Sequence, residues 1–337
     1  MEKRKKQEKI LSVSVAAYNL GEMIETNIKS FCESKVADEI ELIITDDGSK
    51  DNTPDIVETY VKKYPNTVKL IRKVNEGPGS TVNSGIKNAT GKYFRMVDGD
   101  DWVHTENLEE YIEFLKNSDA DLVISDYDVY DNKNQKIIET ITTKIKPKTE
   151  MEFGEVYKAI PYQMHALTFK TNLYQDYNIV LDNCFYTDVE YTLFPMKNVK
   201  TVAYFDKSIY IYRVAQSAQS VSIPSMKKNI AQHERVFTHL LEMYEKDKNT
   251  YSTEHNEFIA GRIASMADVQ LGTYLLFDVS NEQKTTIKNF INDLKNKHND
   301  IYRRFKSSKK CSVLIYSNYM LYPLLAKMYT KKLSKLV

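Results

Sequence analysis

Between residues 10 and 98 the chain switches repeatedly between two hydrophobic periods, and this alternation restricts the possible folds more than any other feature. The segments "ILSVSVAAY" (10–18), "EIELIITDD" (39–47), "TVKLIRK" (67–73) and "KYFRMVD" (92–98) are short apolar runs suited to buried strands. Helix-spaced segments separate them. In "EMIETNIKSFCES" (22–34), Ile24, Ile28 and Phe31 fall on one face. "TPDIVETYVKKY" (53–64) has a marked start, with Thr53 as the expected cap and Pro54 at the first helical position. "STVNSGIKNA" (80–89) reads as a third helix. A β-α-β-α-β-α-β order of this kind predicts an α/β fold with a mostly parallel central sheet covered by helices.

The pattern continues with a helix at about 105–117 and a strand "DLVISDYDVY" (121–130). The polar stretch 131–160 has strand composition in "QKIIETITTKIK" and reads as a hairpin. Strands are expected at "HALTF" (165–169), "KTVAYFD" (200–206) and "IYIYR" (209–213), with a helix around 187–197. After Pro224 the texture becomes helical, as in "MKKNIAQHERVFTHLLEMY", "EFIAGRIASMADVQLGTYLLF" and "TTIKNFINDLKNKHNDIYRRF". The expected organisation is a basic N-terminal tail (1–9), an α/β domain (10–222) and a helical C-terminal region (223–337). The apolar, aromatic segment 313–336 with its basic end has two readings: packing in a core or homo-oligomer, or interfacial contact with a membrane. Pro323 argues against one straight helix there.

Composition excludes several classes. The chain has 337 residues, with 47 basic against 46 acidic, so no global basic excess marks a nucleic-acid binder. Cys32, Cys184 and Cys311 are widely spaced with no C-x-x-C, which argues against a disulfide framework or zinc site. The basic start lacks an apolar h-region, and no run of about 18 apolar residues occurs. A cytoplasmic location follows as the expectation, with peripheral contact at the inner membrane face left open.

Ligands of parallel α/β sheets bind beyond the carboxyl ends of the strands. Four polar clusters fall there: Tyr18-Asn19, Asp46 to Ser49, "NEGPGS" (75–80) and Asp98 to Asp101. The last crowds three aspartates into four positions. Side chains alternate along an extended chain, so Asp98 and Asp100 point roughly the same way. Adjacent carboxylates must share a proton or a cation. Hard cations such as Mg²⁺ and Mn²⁺ take oxygen ligands, often a few carboxylates plus phosphate oxygens. On its own, DGDD is equally readable as a polar turn.

Read together, "LSVSVAAYN", "IITDDGSKDNT" and "NEGPGSTVNSGIKNATGKYFRMVDGDDW" occur in an order and spacing that resembles glycosyltransferase family 2, inverting enzymes with the GT-A (Rossmann-like) fold. "FYTDVEYTLFP" and "IYIYRVAQSAQSVS" resemble the distal motifs of bacterial surface-glycan members. The resemblance covers about residues 10–222. It implies that Ala17 and Tyr18 line a nucleotide base and that Asp47, or its neighbour Asp46, hydrogen-bonds uracil. It implies that Asp98 contacts the ribose or supports the metal shell, that Asp100 ligates Mn²⁺ or Mg²⁺, and that Asp101 and Trp102 shape the donor sugar pocket. Asp188 matches the catalytic base, with Glu190 as rival base or pocket residue. Arg213 would meet the diphosphate, His165 the sugar or acceptor, and Ser217, Gln219 and Ser220 a closing loop. Two positions depart from the family pattern: Thr187, where an acidic residue often precedes the base, and Val82, where a basic residue is common.

The implied activity is transfer of a hexose or N-acetylhexosamine from a UDP-sugar, with inversion, to a glycan acceptor. That acceptor would be lipid-linked, wall-bound or a glycoprotein sugar chain. A Rossmann dehydrogenase is excluded because the first strand runs into "YNLGE" rather than G-x-G-x-x-G. A non-catalytic module that binds nucleotide sugar or glycan within an assembly is the alternative from another class.

Overall fold

The computed structural model describes residues 8–214 and 222–334 and divides the chain into two compact units, 1–214 and 215–337. In the first unit, β1 (Leu11–Ala17), α1 (Met23–Cys32), β2 (Ile40–Asp46), α2 (Thr53–Lys63), β3 (Val68–Arg72), α3 (Pro78–Asn88) and β4 (Tyr93–Asp98) follow the expected alternation. Then come β5 (Trp102–Val103), α4 (Leu108–Asn117), β6 (Leu122–Asp131), β7 (Lys136–Ile141), β8 (Lys148–Glu152), α5 (Phe153–Val156), β9 (Leu167–Lys170), α6 (Asn172–Gln175), α7 (Thr187–Leu193) and β10 (Thr201–Val214). The sheet order is β3-β2-β1-β4-β9-β6-β10-β5, with β7 beside β6 and β8 beside β10. Strands β3, β2, β1 and β4 are parallel, as are β6 and β10. Strand β9 runs antiparallel between β4 and β6, and β5, β7 and β8 are also antiparallel, so the sheet is mixed. All seven residues of β2 are buried, as expected of a strand covered on both faces.

Four sequence expectations need correction. Thr53 does not cap α2. Its hydroxyl accepts the Leu20 and Gly21 N–H groups, both at 2.9 Å, while Asp51 accepts the Thr53 N–H at 3.0 Å. The two strands expected at 200–213 are one strand, β10, with irregular register between Phe205 and Tyr210 where exposed Asp206 and Lys207 intervene. The helix expected over 187–197 stops at Leu193, and a 3-10 turn begins at Pro195, whose ring cannot continue the ladder. The stretch 131–160 does not form a hairpin of its own: β7 pairs with β6, and β8 pairs with β10. Cys32, Cys184 and Cys311 are thiols, each buried.

At the amino ends of the strands, Glu41 ties three elements together. Its carboxylate accepts from Ser12 Oγ (2.5 Å), the Thr90 hydroxyl (3.0 Å) and the backbone N–H groups of Thr90 and Gly91, and it pairs with Lys69 (2.5 Å). Burial opposes its charge, but these partners outweigh burial and hold the carboxyl below its usual range.

The second unit contains α8 (Ile223–Lys228), α9 (Ile230–Asp247), α10 (Thr253–Tyr274), α11 (Asn281–Lys297), α12 (Asn299–Phe305), α13 (Lys309–Tyr316) and α14 (Tyr322–Leu333). Helix α10 is its centre, with Ile259, Ile263, Ala267 and Leu271 fully buried. Pro323 lies in the first turn of α14, where its missing N–H breaks no helical bond.

Replacing Glu41 by Ala removes the acceptor of the Thr90 N–H and hydroxyl and the partner of Lys69, while the Gly91 N–H keeps Ser12 Oγ at 2.8 Å. We expect a loss of about 3 kcal/mol in urea denaturation.

Candidate functional site

Parallel register places Ala17 opposite Asp46 and Ala16 opposite Asp98, so three strands deliver their polar ends to one edge. The loops beyond them interlock through the "DDGSKDNT" and "YNLG" residues. Asn19 N–H donates to Ser49 Oγ (2.9 Å), Lys50 N–H to Asn19 Oδ1 (2.8 Å) and Gly21 N–H to Asp51 (3.0 Å). Tyr18 projects from this corner substantially exposed, whereas Ala17 and Asp46 are buried. The Ser49 N–H donates to Asp46 Oδ1 at 3.2 Å.

Asp47 organises the next loop. One oxygen accepts from Lys73 Nζ (2.8 Å) and Glu76 N–H (3.0 Å), and the other from Gly77 N–H (2.9 Å). Gly77 has φ of 98°, and a Cβ there would lie 2.9 Å from the Asn183 carbonyl oxygen. The start of α3 therefore abuts the segment leading into α7. Asn83 joins the same segment through both the N–H and the carbonyl of Leu181. Glu190, fully buried on α7, accepts the Asp182 N–H at 2.6 Å. It fixes the approach to the helix, while half-buried Asp188 occupies the first turn of α7. Tyr186, just before that helix, has φ of 70°, a left-handed conformation that a bulky residue seldom adopts.

The turn after β4 carries the crowded aspartates. A Cβ on Gly99 would sit 2.5 Å from the Ala16 carbonyl oxygen and 2.3 Å from Leu20, so only glycine fits. Asn27 Nδ2 donates to the carbonyls of Asp98 (3.2 Å) and Asp101 (2.9 Å). Strand β10 holds the other side. Tyr210 donates its hydroxyl hydrogen to Asp101 Oδ2 (2.6 Å) and accepts the Asp98 N–H (3.2 Å). Arg213 donates its backbone N–H to Asp101 Oδ1 (2.7 Å) and its Nε to the Asp100 carbonyl (2.7 Å). Its guanidinium also lies 4.5 Å from the centre of the Trp102 ring, and that ring meets Tyr130 edge-on. Arg213 thus braces the turn and the Trp102 wall.

Electrostatics identify these carboxylates as one cluster. Burial, then Asp100, then Asp188 push the Asp98 carboxyl up to about 8, although Asp98 keeps part of its surface open to solvent. Burial and the charges of Asp100 and Asp98 raise Asp101 well above its usual value, against the pull of Tyr210 and Arg213. Burial raises Tyr212 to about 12, assisted by Asp101, Asp98, Asp100 and Asp188 together. His165 lies beside them, and single ligand atoms of Asp98, Asp101 and His165 fall within 4.8 Å of one another. Burial and Arg95 lower His165 to about 3, leaving a neutral imidazole. Its ring stacks on Tyr212 with centroids 4.3 Å apart.

A hard divalent cation fits this cluster. Its crowded carboxylates repel one another, and Asp98 keeps part of its surface open to solvent. Asp101 is the least available of the three turn residues, because both its oxygens already accept hydrogen bonds.

Arg95 is a site residue that the sequence reading missed. It is fully buried under the cluster with no carboxylate partner among the described residues. Neutral oxygens hold it: Thr168 Oγ1 (3.0 Å), Ser125 Oγ (3.2 Å) and the His165 carbonyl. The available signal was a lone Arg inside the apolar strand "YFRMV". Beside it lies a cavity of about 360 Å³ whose lining includes Ser125, Tyr127, Thr142, Lys144, Lys158 and Gln163. Tyr127 separates this cavity from His165, with ring centroids 5.1 Å apart. Ser217, Gln219 and Ser220 lie outside the described residues.

Known proteins resemble this chain in sequence and in fold. The sequence model of Glycosyl transferase family 2 matches residues 12–178. An uncharacterized glycosyltransferase of Mycoplasma pneumoniae is 29% identical over 218 residues, covering 64% of this chain and 72% of its own length. The poly(ribitol-phosphate) beta-glucosyltransferase of Bacillus spizizenii is 35% identical over 116 residues, 34% of this chain but only 18% of that enzyme. The crystal structure of S. aureus TarS residues 1–349 in complex with UDP-GlcNAc superposes with a TM-score of 0.62 at 20% identity, over 96% of this chain and 89% of that one.

The raised Asp98 carboxyl makes stability depend on pH in a definite direction. A folded-state value of about 8 means that the native protein holds a proton that the unfolded chain releases near its ordinary carboxyl range. Stability of the metal-free protein should therefore fall as pH rises from about 4 to about 8. Asp98→Asn should flatten that slope. Added Mn²⁺ should raise the melting temperature more near pH 8 than near about pH 5. Thermal melts across this range, with and without chelator, measure both effects.

Proposed function

We propose, for a chain that belongs to glycosyltransferase family 2, inverting transfer of a hexose or N-acetylhexosamine from a UDP-sugar to a hydroxyl of a wall or surface glycan. One observation carries this reading: Asp98, Asp100, Asp101 and Asp188 converge at the strand edge where Ala17, Tyr18 and Asp46 also end.

Exposed Tyr18 and buried Ala17 offer a face for the base. Asp46 is the better placed uracil acceptor, because Asp47 already satisfies Lys73 and two backbone N–H groups. Asp100 and Asp98 would hold Mn²⁺ or Mg²⁺, which when bound neutralises the departing diphosphate. Asp188 takes the proton of the acceptor hydroxyl. The new bond forms from that oxygen to the anomeric carbon. The bond from this carbon to the phosphate oxygen breaks, and UDP leaves with the electron pair. Trp102, held under Arg213, walls the sugar site. Neutral His165 can donate or accept a hydrogen bond to the sugar or acceptor without adding charge.

UDP release, measured across a panel of UDP-sugars with Mn²⁺ and simple glycan acceptors, tests the proposal. Asp188→Asn should lower turnover by about 10²- to 10⁴-fold while UDP affinity is kept. Asp100→Asn should lose both. Tight UDP binding by the wild type with no turnover of any donor would instead support a binding module.

A further inference from the structure

From Ile301 to Val337 the sequence contains nine Lys and Arg and not one Asp or Glu, although the whole chain is almost neutral. The preceding residues therefore carry an acidic excess, and positive charge is concentrated in the last helices. The same segment exposes large apolar side chains. Tyr316 is 90% exposed, Met320 76%, Leu324 54% and Met328 60%, with Leu321 also open to solvent. Leu324 and Met328 lie four residues apart on α14 and form one outward row, and exposed Met320 and Leu321 lie in the turn just before that helix.

This stripe is not a sign of poor packing. The opposite face is anchored in the second unit, where Cys311, Leu314, Tyr322 and Ala326 are all buried. Tyr329 packs so tightly on α10 that a Cβ at Gly272 would lie 2.5 Å from its hydroxyl. Lys310 pairs with Asp268 (2.9 Å) and lies 4.8 Å from the Tyr329 ring centre. The exposed row is thus the outer face of a docked helical pair. Lys327, Lys331 and Lys332, all exposed, adjoin it.

We propose that α13 and α14 bind the surface of a membrane rich in anionic lipid, with the apolar row entering the headgroup boundary and the lysines meeting lipid phosphates. Charge complementarity selects this occupant. A second copy of the chain would set exposed Lys327, Lys331 and Lys332 against the same lysines, whereas an anionic bilayer attracts all three. The contact is interfacial rather than spanning, because no helix among the described residues is long and apolar enough to cross a bilayer. Aromatic Tyr316 and Tyr319 suit the headgroup level, where amphipathic rings concentrate. This proposal is independent of the donor-site chemistry.

Co-sedimentation of the full chain with vesicles tests it, comparing phosphatidylcholine alone with phosphatidylcholine mixed with phosphatidylglycerol. The wild type should pellet with the mixed vesicles and stay in solution with the neutral ones. Lys331→Glu/Lys332→Glu should weaken binding by at least about fivefold per lysine. Leu324→Ser/Met328→Ser should weaken it by about tenfold or more. Both variants should keep the wild-type circular dichroism and melting temperature, since these side chains face outward. Absence of wild-type partition, or equal partition by the variants, overturns the proposal. So does a wild-type dimer in light scattering that Leu324→Ser/Met328→Ser converts to monomer while vesicle binding persists.

Discussion

Mutual repulsion among the carboxylates of one short turn is the constraint on which the rest of the site depends. Asp98, Asp100 and Asp101 follow a buried strand and face Asp188 from another element. Left to themselves they would separate or fold outward into water. The structure prevents this from three sides. Gly99 lets the turn pass under the Ala16 carbonyl, Asn27 grips two of its carbonyls, and Tyr210 and Arg213 lock Asp101. The carboxyl groups are therefore kept crowded, Asp98 holds its proton up to about 8, and a cation that replaces that proton is favoured.

Positive charge near the cluster is arranged without neutralising it. Arg95 lies beneath, shielded by hydroxyls and by the Tyr210 ring at 5.7 Å. Arg213 uses its backbone and Nε to hold the turn, while its Nη1 donates to Asn132 at 3.0 Å. Burial and the charges of Asp100 and Asp188 keep the Asp98 carboxyl high. A site that must bind and release a cation with a diphosphate benefits from this imbalance: an internal salt bridge would compete with the ligand.

Much of this was legible in the sequence where the cause is local. The β-α alternation, the early strand ends and the acidic turn all follow from short-range period and chemistry. The elements that failed to show are set by distant partners. Thr53 looked like a cap, but its hydroxyl serves Leu20 and Gly21, more than thirty residues earlier. Strand β9 is only four residues long, and nothing in "LTFK" announces that it will run antiparallel between β4 and β6. Asp188 and its rival Glu190 share a short helix, and their spacing already implied that they face different ways. Only the fold shows Glu190 turned inward to hold Asp182. Arg95 stood out as an oddity in an apolar strand, but its place below the cluster depends on Ser125, Thr168 and His165 arriving from elsewhere.

Calorimetric titration of UDP tests the central claim most directly, performed with and without Mn²⁺ in buffers of different ionisation enthalpy near neutral pH. If the acidic turn is the cation and diphosphate corner, UDP binds far more tightly with Mn²⁺, and binding releases a proton because Asp98 must ionise. UDP binding that is indifferent to Mn²⁺ and releases no proton would contradict this assignment of the turn.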